Sequence, residues 1–179
     1  MKRKNIILGV TASIAIYKAC DIARRLLKED FDLSIVMTKN AAQLISPKVL
    51  SALAGGQVYW DMFEVSAIWG MEHISLAKKA DLVLIAPATA NIIGKIANGI
   101  ADDLLSTTVV ATRAPVLIAP AMNENMYNSR IVQDNIKKLK SLRFQFIGPK
   151  TGKLACGDVG LGHLAGVEAI VREAKQLLK

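Results

Sequence analysis

Short runs of apolar residues alternate along the chain with longer stretches whose apolar side chains recur every three or four positions. The short runs are typical of strands buried on both faces, and the longer period is typical of amphipathic helices. The alternation predicts an α/β fold, a doubly wound Rossmann-like (flavodoxin-like) parallel sheet with helices on both faces. The predicted strands are residues 5–10, 33–37, 81–86, 115–119 and 144–147, and the predicted helices are residues 13–28, 41–53, 92–97, 102–111, 131–139 and 166–178.

The length of 179 residues suits one α/β domain and is short for two. No repeat, low-complexity tract or linker divides the chain, so we expect a single domain over residues 1–179. The apolar run at residues 82–90 is interrupted by Pro87 and too short to span a membrane. The basic residues 1–5 precede a short apolar run without a plausible cleavage site, which favours a cytoplasmic protein over a secreted one.

The chain carries a net charge of +8, which makes nucleic-acid binding a hypothesis to weigh. Its lysines are scattered, only 5% of its residues are aromatic, and no nucleic-acid motif is present. We therefore expect no nucleic-acid partner, because anionic small molecules or ordinary solvated lysine faces explain the charge as well. The two cysteines, Cys20 and Cys156, form no CxxC pair, so neither a metal site nor a disulfide framework is indicated.

Polar and glycine-rich segments follow four of the predicted strands, at residues 9–13, 38–40, 87–91 and 120–125. Ligands of doubly wound folds bind at the carboxyl ends of the strands. These four segments are therefore predicted to form the rim of one pocket.

The first of these segments joins a strand directly to a helix and contains Gly9, Thr11 and Ser13. Exposed amides and hydroxyls at a helix start suit a phosphate group. The segment lacks the glycines of a dinucleotide fingerprint and the Gly-Lys-Ser/Thr of a Walker loop, so a mononucleotide is the expected cofactor if one binds. The alternative is that Ser13 is a plain helix cap.

Two further segments place an amide side chain at the predicted rim, Asn91 and Asn123. An amide can both donate to and accept from a flavin edge or a substrate carboxylate, although a capping or turn-forming Asn is the commoner use. His73 could move a proton or hold an anion near neutral pH, but a lone histidine is more often an ordinary surface or core residue, and His163 is weaker still.

Cys156 lies in a stretch with four glycines, residues 151–162, which predicts a mobile loop suited to covering a site. A cysteine on such a loop fills little core, so reactivity is the more economical reason for it. Cys20, within the first amphipathic helix, is predicted to be a core residue.

Together these segments resemble the homo-oligomeric flavin-containing cysteine decarboxylases, from about Asn5 to the C-terminus. The similarity lies in GVTASIA at residues 9–15, the His73 region, PATAN at 87–91, GKIANGIAD at 94–102, PAMNENM at 120–126 and the Cys156 loop. The last two together are the most specific. Tyr127 departs from the Trp that is common in the family, and His163 stands where Arg is usual, which leaves an anion contact at that position open.

The resemblance implies FMN as cofactor. Its phosphate would lie on the turn of Gly9, Thr11 and Ser13, with further contacts from Thr38 and Ser106. The flavin ring would lie near a second group of residues, Ala88, Thr89, Asn91 and Met122.

The resemblance also implies a reaction, the conversion of phosphopantothenoylcysteine to phosphopantetheine and CO2 in coenzyme A biosynthesis, through a thioaldehyde and an enethiol. Asn123 would hold the substrate carboxylate, His73 would assist oxidation, and Cys156 would supply a proton. Other substrate contacts would come from Lys153, Leu154 and Ala155. The implied partners are further copies in a trimer or a multiple of trimers, and a phosphopantothenoylcysteine synthetase domain in cis or in trans.

Four alternatives remain open. A peptidyl-cysteine decarboxylase of lantibiotic maturation would release the enethiol and need no returning proton donor, so Cys156 argues against it. A flavin prenyltransferase of similar fold would not need Asn123 and the loop cysteine together. A non-catalytic phosphatase-inhibitor subunit would carry long acidic extensions, which this chain lacks. Simple FMN storage would leave His73, Asn123 and Cys156 without a role.

Overall fold

The apolar strands pair into a six-stranded parallel sheet in the order β3-β2-β1-β4-β5-β6, as seen in a computed structural model that describes residues 3–62, 72–153 and 159–179. All six residues of β1 and all seven of β4 are buried, because helices cover both faces of these central strands. The six strands are β1 Asn5–Val10, β2 Asp32–Met37, β3 Val58–Tyr59, β4 Leu82–Ala88, β5 Val116–Pro120 and β6 Gln145–Phe146.

Two apolar layers hold the helices against the sheet, one on each face. The helices are α1 Lys18–Lys28, α2 Lys39–Leu44, α3 Pro47–Ala54, α4 Glu72–Lys79, α5 Ala90–Ala97, α6 Leu104–Ala111, α7 Glu124–Asn128, α8 Arg130–Ser141 and α9 Val167–Leu177. Leu8 contributes to the layer under α1, α3 and α9, whereas its neighbour Ile7 points into the layer under α4, α5, α6 and α8. The predicted doubly wound fold is confirmed, and the strand order reverses between β1 and β4, where such folds bind their ligands.

Several element boundaries differ from the prediction. The helix predicted at residues 41–53 is two helices, because Pro47 begins α3 and disfavours a helical residue before it. The first predicted helix begins with a 3-10 turn, Ile14–Tyr17, before α1. Strand β4 continues through Pro87 to Ala88 with a shift of register against β5, although the predicted strand ended at residue 86, before Pro87.

The glycine-rich stretch after β6 forms a hairpin in its described parts. Strand β7 is Lys150–Lys153, β8 is Val159–His163, and the two pair antiparallel. The prediction of a loop is therefore wrong for residues 151–153 and 159–162. Among the residues that the structure describes, no helix is long and apolar enough to cross a membrane.

Candidate active site

A cavity of about 560 Å³ opens at the carboxyl edge of the sheet, beside the point where the strand order reverses. Cavities of this size hold cofactors and small molecules in other proteins. Four chain segments form its wall: the turn after β1, the residues after β4, the residues after β5, and the end of β8. The lining residues are Ala12, Ser13, Ile14, Ala15, Tyr17, Lys18, Thr89, Ala121, Met122, Asn123, Met126, Gly162 and His163.

Thr11 connects the turn after β1 to the end of β4 through hydrogen bonds of its side chain. Its hydroxyl donates to the carbonyl oxygen of Pro87 at 2.7 Å and accepts from the backbone N–H of Thr89 at 3.1 Å. The residue is only 2% exposed, so these bonds are shielded from water. Thr11 therefore holds the β1 turn and the β4 end in fixed relation without lining the cavity itself.

Ser13 and Thr89 face the cavity as helix caps. The Ser13 hydroxyl accepts from the N–H of Ala15 at 3.4 Å, and the Thr89 hydroxyl accepts from the N–H of Ile92 at 3.4 Å. In the described part of the chain, neither hydroxyl donates its own hydrogen to a protein acceptor. Both can therefore cap their helices and still donate to a phosphate or a flavin oxygen.

Met122 and Asn123 form the wall that follows β5. The Asn123 side chain begins α7 by accepting from the N–H of Asn125 at 2.9 Å. The backbone N–H of Met122 donates to the carbonyl oxygen of Gly162 at 3.1 Å, which joins this wall to β8. The capping alternative weighed for Asn123 is thus realised, and the capping residue also lines the cavity.

Lys18 gives the cavity a positive charge. Burial, and then the neighbouring charge of Lys150, lower the pKa of Lys18 from its ordinary value of 10.5. None of the lining residues that the structure describes is a carboxylate. An anion in this cavity would relieve the repulsion between the two lysines. His163 lies on the same wall, with its Nδ1 3.1 Å from the carbonyl oxygen of Leu164.

The structure brings together four of the predicted site residues, Ser13, Thr89, Met122 and Asn123. Two others sit in neighbouring elements. Ala88 is buried within β4, and Asn91 is exposed on the first turn of α5.

Gly9, Thr38 and Ser106 lie near the same edge but outside the cavity wall. A Cβ at Gly9 would approach Leu105 Cδ1 to 2.6 Å, so the glycine lets α6 pack on β1. Thr38 caps α2 through the N–H of Ala41. Ser106 is fully buried in the capping box of α6, where its hydroxyl donates to the carbonyl oxygen of Asp103 at 3.1 Å. Their predicted cofactor contacts remain predictions.

His73 occupies the first turn of α4, on the opposite face of the sheet from α1. A helix that precedes a parallel strand runs antiparallel to it, so His73 lies at the carboxyl edge. It does not line the cavity of its own chain. The predicted substrate residues Leu154, Ala155 and Cys156 lie outside the described residues, and Lys153 is described only as part of β7.

The cavity is also lined by residues that were not predicted from the sequence, among them Tyr17, Lys18, Met126 and Gly162. Lys18 carried a usable signal. It follows the predicted phosphate-binding turn, residues 9–13, by five residues, and a cation close to such a turn suits an anionic ligand.

Cys20 needs no functional explanation. It is half-buried on α1 and packs against the apolar layer beneath that helix, as predicted. Burial, with a smaller effect of Asp21, raises the pKa of its thiol.

Comparison with known proteins identifies relatives over the whole chain. The family model described as Flavoprotein matches residues 1–179. The coenzyme A biosynthesis bifunctional protein CoaBC of Bacillus subtilis (strain 168) is 44% identical over 176 residues, which cover 98% of this chain and 43% of that protein. A probable phosphopantothenoylcysteine decarboxylase of Streptococcus mutans is 40% identical over 177 residues, which cover 98% of this chain and 99% of the relative.

Solved structures also resemble the chain over nearly its full length. The crystal structure of the FMN-dependent cysteine decarboxylase SpaF superposes with a TM-score of 0.85 at 30% identity and covers 98% of both chains. The chain thus spans less than half of the bifunctional B. subtilis protein, but nearly all of the S. mutans relative and of SpaF.

Proposed function

The chain belongs to the flavoprotein family, and on that premise we propose that it catalyses the FMN-dependent decarboxylation of phosphopantothenoylcysteine to phosphopantetheine. One observation carries the proposal. A single cavity combines two hydroxyl donors, the side chain of Asn123 and a lysine, with no carboxylate among its described lining residues. That combination suits a ligand with several negative charges. FMN, with its phosphate, and a phosphorylated substrate that also carries a carboxylate are both ligands of this kind.

The donors of the cavity fit FMN. Ser13 and Thr89 retain hydroxyl hydrogens that can reach a phosphate or a ring carbonyl, and Met122 offers an apolar, polarisable surface to a flavin ring. Bound FMN would supply two-electron chemistry: it would accept a hydride from the carbon that bears the substrate thiol while the thiol loses its proton, which gives a thioaldehyde, and it would later return a hydride. We extend the cofactor site to the predicted residues around the cavity, Gly9, Thr11, Thr38, Ala88, Asn91 and Ser106.

The residues of the chain would orient the substrate and move its protons. The Asn123 amide would hold the substrate carboxylate in line for loss of CO2, which leaves its electron pair on sulfur as an enethiolate. His73 would assist oxidation by proton transfer or charge. Cys156 would give a proton to the enethiol as it is reduced, with the neighbouring Lys153, Leu154 and Ala155 as substrate contacts.

The phosphate of the substrate would bind at the basic end of the cavity. Lys18 lines this end, and Lys150 lies close enough to lower the pKa of Lys18. His163 would add a hydrogen-bond partner where many family members have Arg. A phosphorylated substrate is therefore favoured over an unphosphorylated peptide.

We propose further that the working unit is a homotrimer or a multiple of trimers. Three apolar side chains at the cavity are well exposed, Ile14 at 69%, Tyr17 at 60% and Met126 at 48%. Exposed apolar residues around a cavity suit a subunit contact. His73 lies outside the cavity of its own chain, so we expect a partner subunit to supply it. Light scattering that reports a fully active monomer would exclude this arrangement.

We also propose that residues 1–179 form one FMN-binding domain of a cytoplasmic enzyme, working with a phosphopantothenoylcysteine synthetase domain in cis or in trans. The similarity to part of a bifunctional protein of coenzyme A biosynthesis supports the synthetase partner. Expression of a longer genomic reading frame, followed by assay of both activities, tests it.

The decisive experiment is incubation of the purified protein with phosphopantothenoylcysteine, followed by mass analysis of the product. We expect a yellow protein that releases FMN on denaturation and forms phosphopantetheine and CO2. Release of another nucleotide, or no binding of added FMN, would refute the cofactor. A product that stops at the enethiol would favour a peptidyl-cysteine decarboxylase.

A further inference from the structure

Strand β8 docks directly onto the turn that carries Asn123. The carbonyl oxygen of Gly162 accepts from the N–H of Met122 at 3.1 Å, on one side of Asn123. On the other side, the Oε1 of Glu124 accepts from the N–H of Leu161 at 3.1 Å. The two bonds bracket Asn123 and fix the part of β8 whose end lines the cavity.

The approach of the strand to this turn is closer than a side chain would allow. A Cβ on Gly160 would lie 2.3 Å from Oε2 of Glu124, and a Cβ on Gly162 would lie 2.1 Å from the carbonyl oxygen of Met122. Gly162 also adopts a φ of +153°, which other residues rarely do. Both glycines thus match the surface formed by Met122 and Glu124, which indicates a specific contact.

We propose that Glu124 is a positioning residue, which holds β8 against the Asn123 turn so that Gly162 and His163 form one wall of the cavity. The carboxylate accepts a backbone N–H, a charge-assisted bond stronger than a neutral one. Glu124 does not line the cavity. Its effect on substrate would therefore pass through β8. This effect on substrate rests on the proposed function, whereas the docking itself does not.

Three substitutions of Glu124 distinguish the loss of its contact with β8 from a general loss of stability. Glu124→Ala removes the acceptor, Glu124→Asp shortens the side chain by one methylene, and Glu124→Gln keeps an acceptor oxygen at the same reach. In the apoprotein we expect amide hydrogen exchange at Leu161 to rise about tenfold or more in the Ala and Asp variants and to rise by less in Gln, whose neutral amide oxygen keeps a weaker bond. With substrate, KM should rise about tenfold in Ala and Asp while kcat changes little, and KM of Gln should lie closer to wild type.

Glu168→Ala is the matched control, because Glu168 is a surface glutamate in the first turn of α9 whose carboxylate pairs with Arg25 at 3.1 Å and not with a backbone N–H of β8. It should leave Leu161 exchange and KM unchanged. Wild-type exchange at Leu161 in Glu124→Ala would overturn the docking role. Faster exchange with an unchanged KM would overturn the positioning role.

If the Ala variant does not fold, the Asp and Gln variants decide the question in the same way. An inactive wild-type enzyme would contradict the proposed function, while the exchange data would still decide whether Glu124 holds β8.

Discussion

Replacing Lys18 by Gln should weaken the enzyme for its phosphorylated substrate specifically. Lys18 begins α1 and lines the cavity, and burial together with Lys150 lowers its pKa. If it binds the substrate phosphate, the variant loses a charge-assisted hydrogen bond and keeps most of the side-chain volume. Pantothenoylcysteine, which lacks the phosphate, never forms that bond.

The size of the effect follows from the nature of the bond. A hydrogen bond to a charged group contributes about 1.5–3 kcal/mol, so kcat/KM for phosphopantothenoylcysteine should fall about ten- to hundredfold. The value for pantothenoylcysteine should hardly change. Because the pKa of Lys18 is lowered, the wild-type enzyme should also lose its preference for the phosphorylated substrate as pH rises through that pKa. This alkaline loss should be absent in Lys18→Gln.

Lys28→Gln is the matched control. Lys28 is exposed at the opposite end of α1, about 15 Å away by the rise of a helix, and its replacement removes the same charge. Steady-state rates are measured for both substrates in both variants, with FMN and riboflavin affinities by fluorescence. An equal fall of kcat/KM for both substrates would refute a substrate phosphate at Lys18. So would a loss of affinity for FMN without a loss of affinity for riboflavin. The latter result would assign Lys18 to the cofactor.

Three other predictions test separate parts of the proposal. His73→Asn and Asn123→Asp should each slow CO2 release about a hundredfold or more while flavin absorbance shows FMN still bound; wild-type turnover in either would remove that residue from the mechanism. Cys156→Ser should release CO2 but accumulate the enethiol, lighter than phosphopantetheine by two hydrogens, and mass spectrometry that finds phosphopantetheine at the normal rate would contradict the proton-donor role. Burial raises the pKa of Asp103, but bonds from Lys95 and Ser106 outweigh it and leave that pKa below 3.8. The stability from this carboxylate is therefore present above pH 3.8 and lost as pH falls through the lowered pKa. In urea unfolding, we expect Asp103→Ala to be about 1 kcal/mol less stable than wild type at neutral pH. Asp103→Asn still caps α6, so its stability should fall less as the pH is lowered. Asp134→Asn, at an exposed position, should change neither the stability nor its pH dependence.

The central sheet could be predicted because its strands are buried on both faces. Ile6, Ile7 and Leu8 show no exposure, so an unbroken apolar run was an adequate signal for β1. Strand β3 could not be found in the same way. It pairs through only two residues at the sheet edge, Val58 and Tyr59, too few for a period to appear.

The site could be predicted in part, because strand ends meet at one edge in a parallel sheet. Ser13, Thr89 and Asn123 follow three different strands and meet in the cavity for that reason. Gly9 is the counterexample. It stands in the same segment as Ser13, yet its lack of a side chain accommodates Leu105 on the opposite face of the sheet from α1. A segment can thus be assigned to a site from sequence, whereas the direction of each residue within it depends on the packing around it.

The hairpin shows a different limit. A run of glycines indicates either a chain that must move or a chain that must come close to another surface, and composition does not distinguish them. The distinction lies in residues far away in sequence. Gly160 meets Glu124, and Gly162 meets the backbone of Met122, contacts that appear only once the tertiary fold has placed the segment after β5 against β8. Because the partner of each glycine belongs to that distant segment, the docked strand follows from the tertiary fold, and a local pattern favoured the loop.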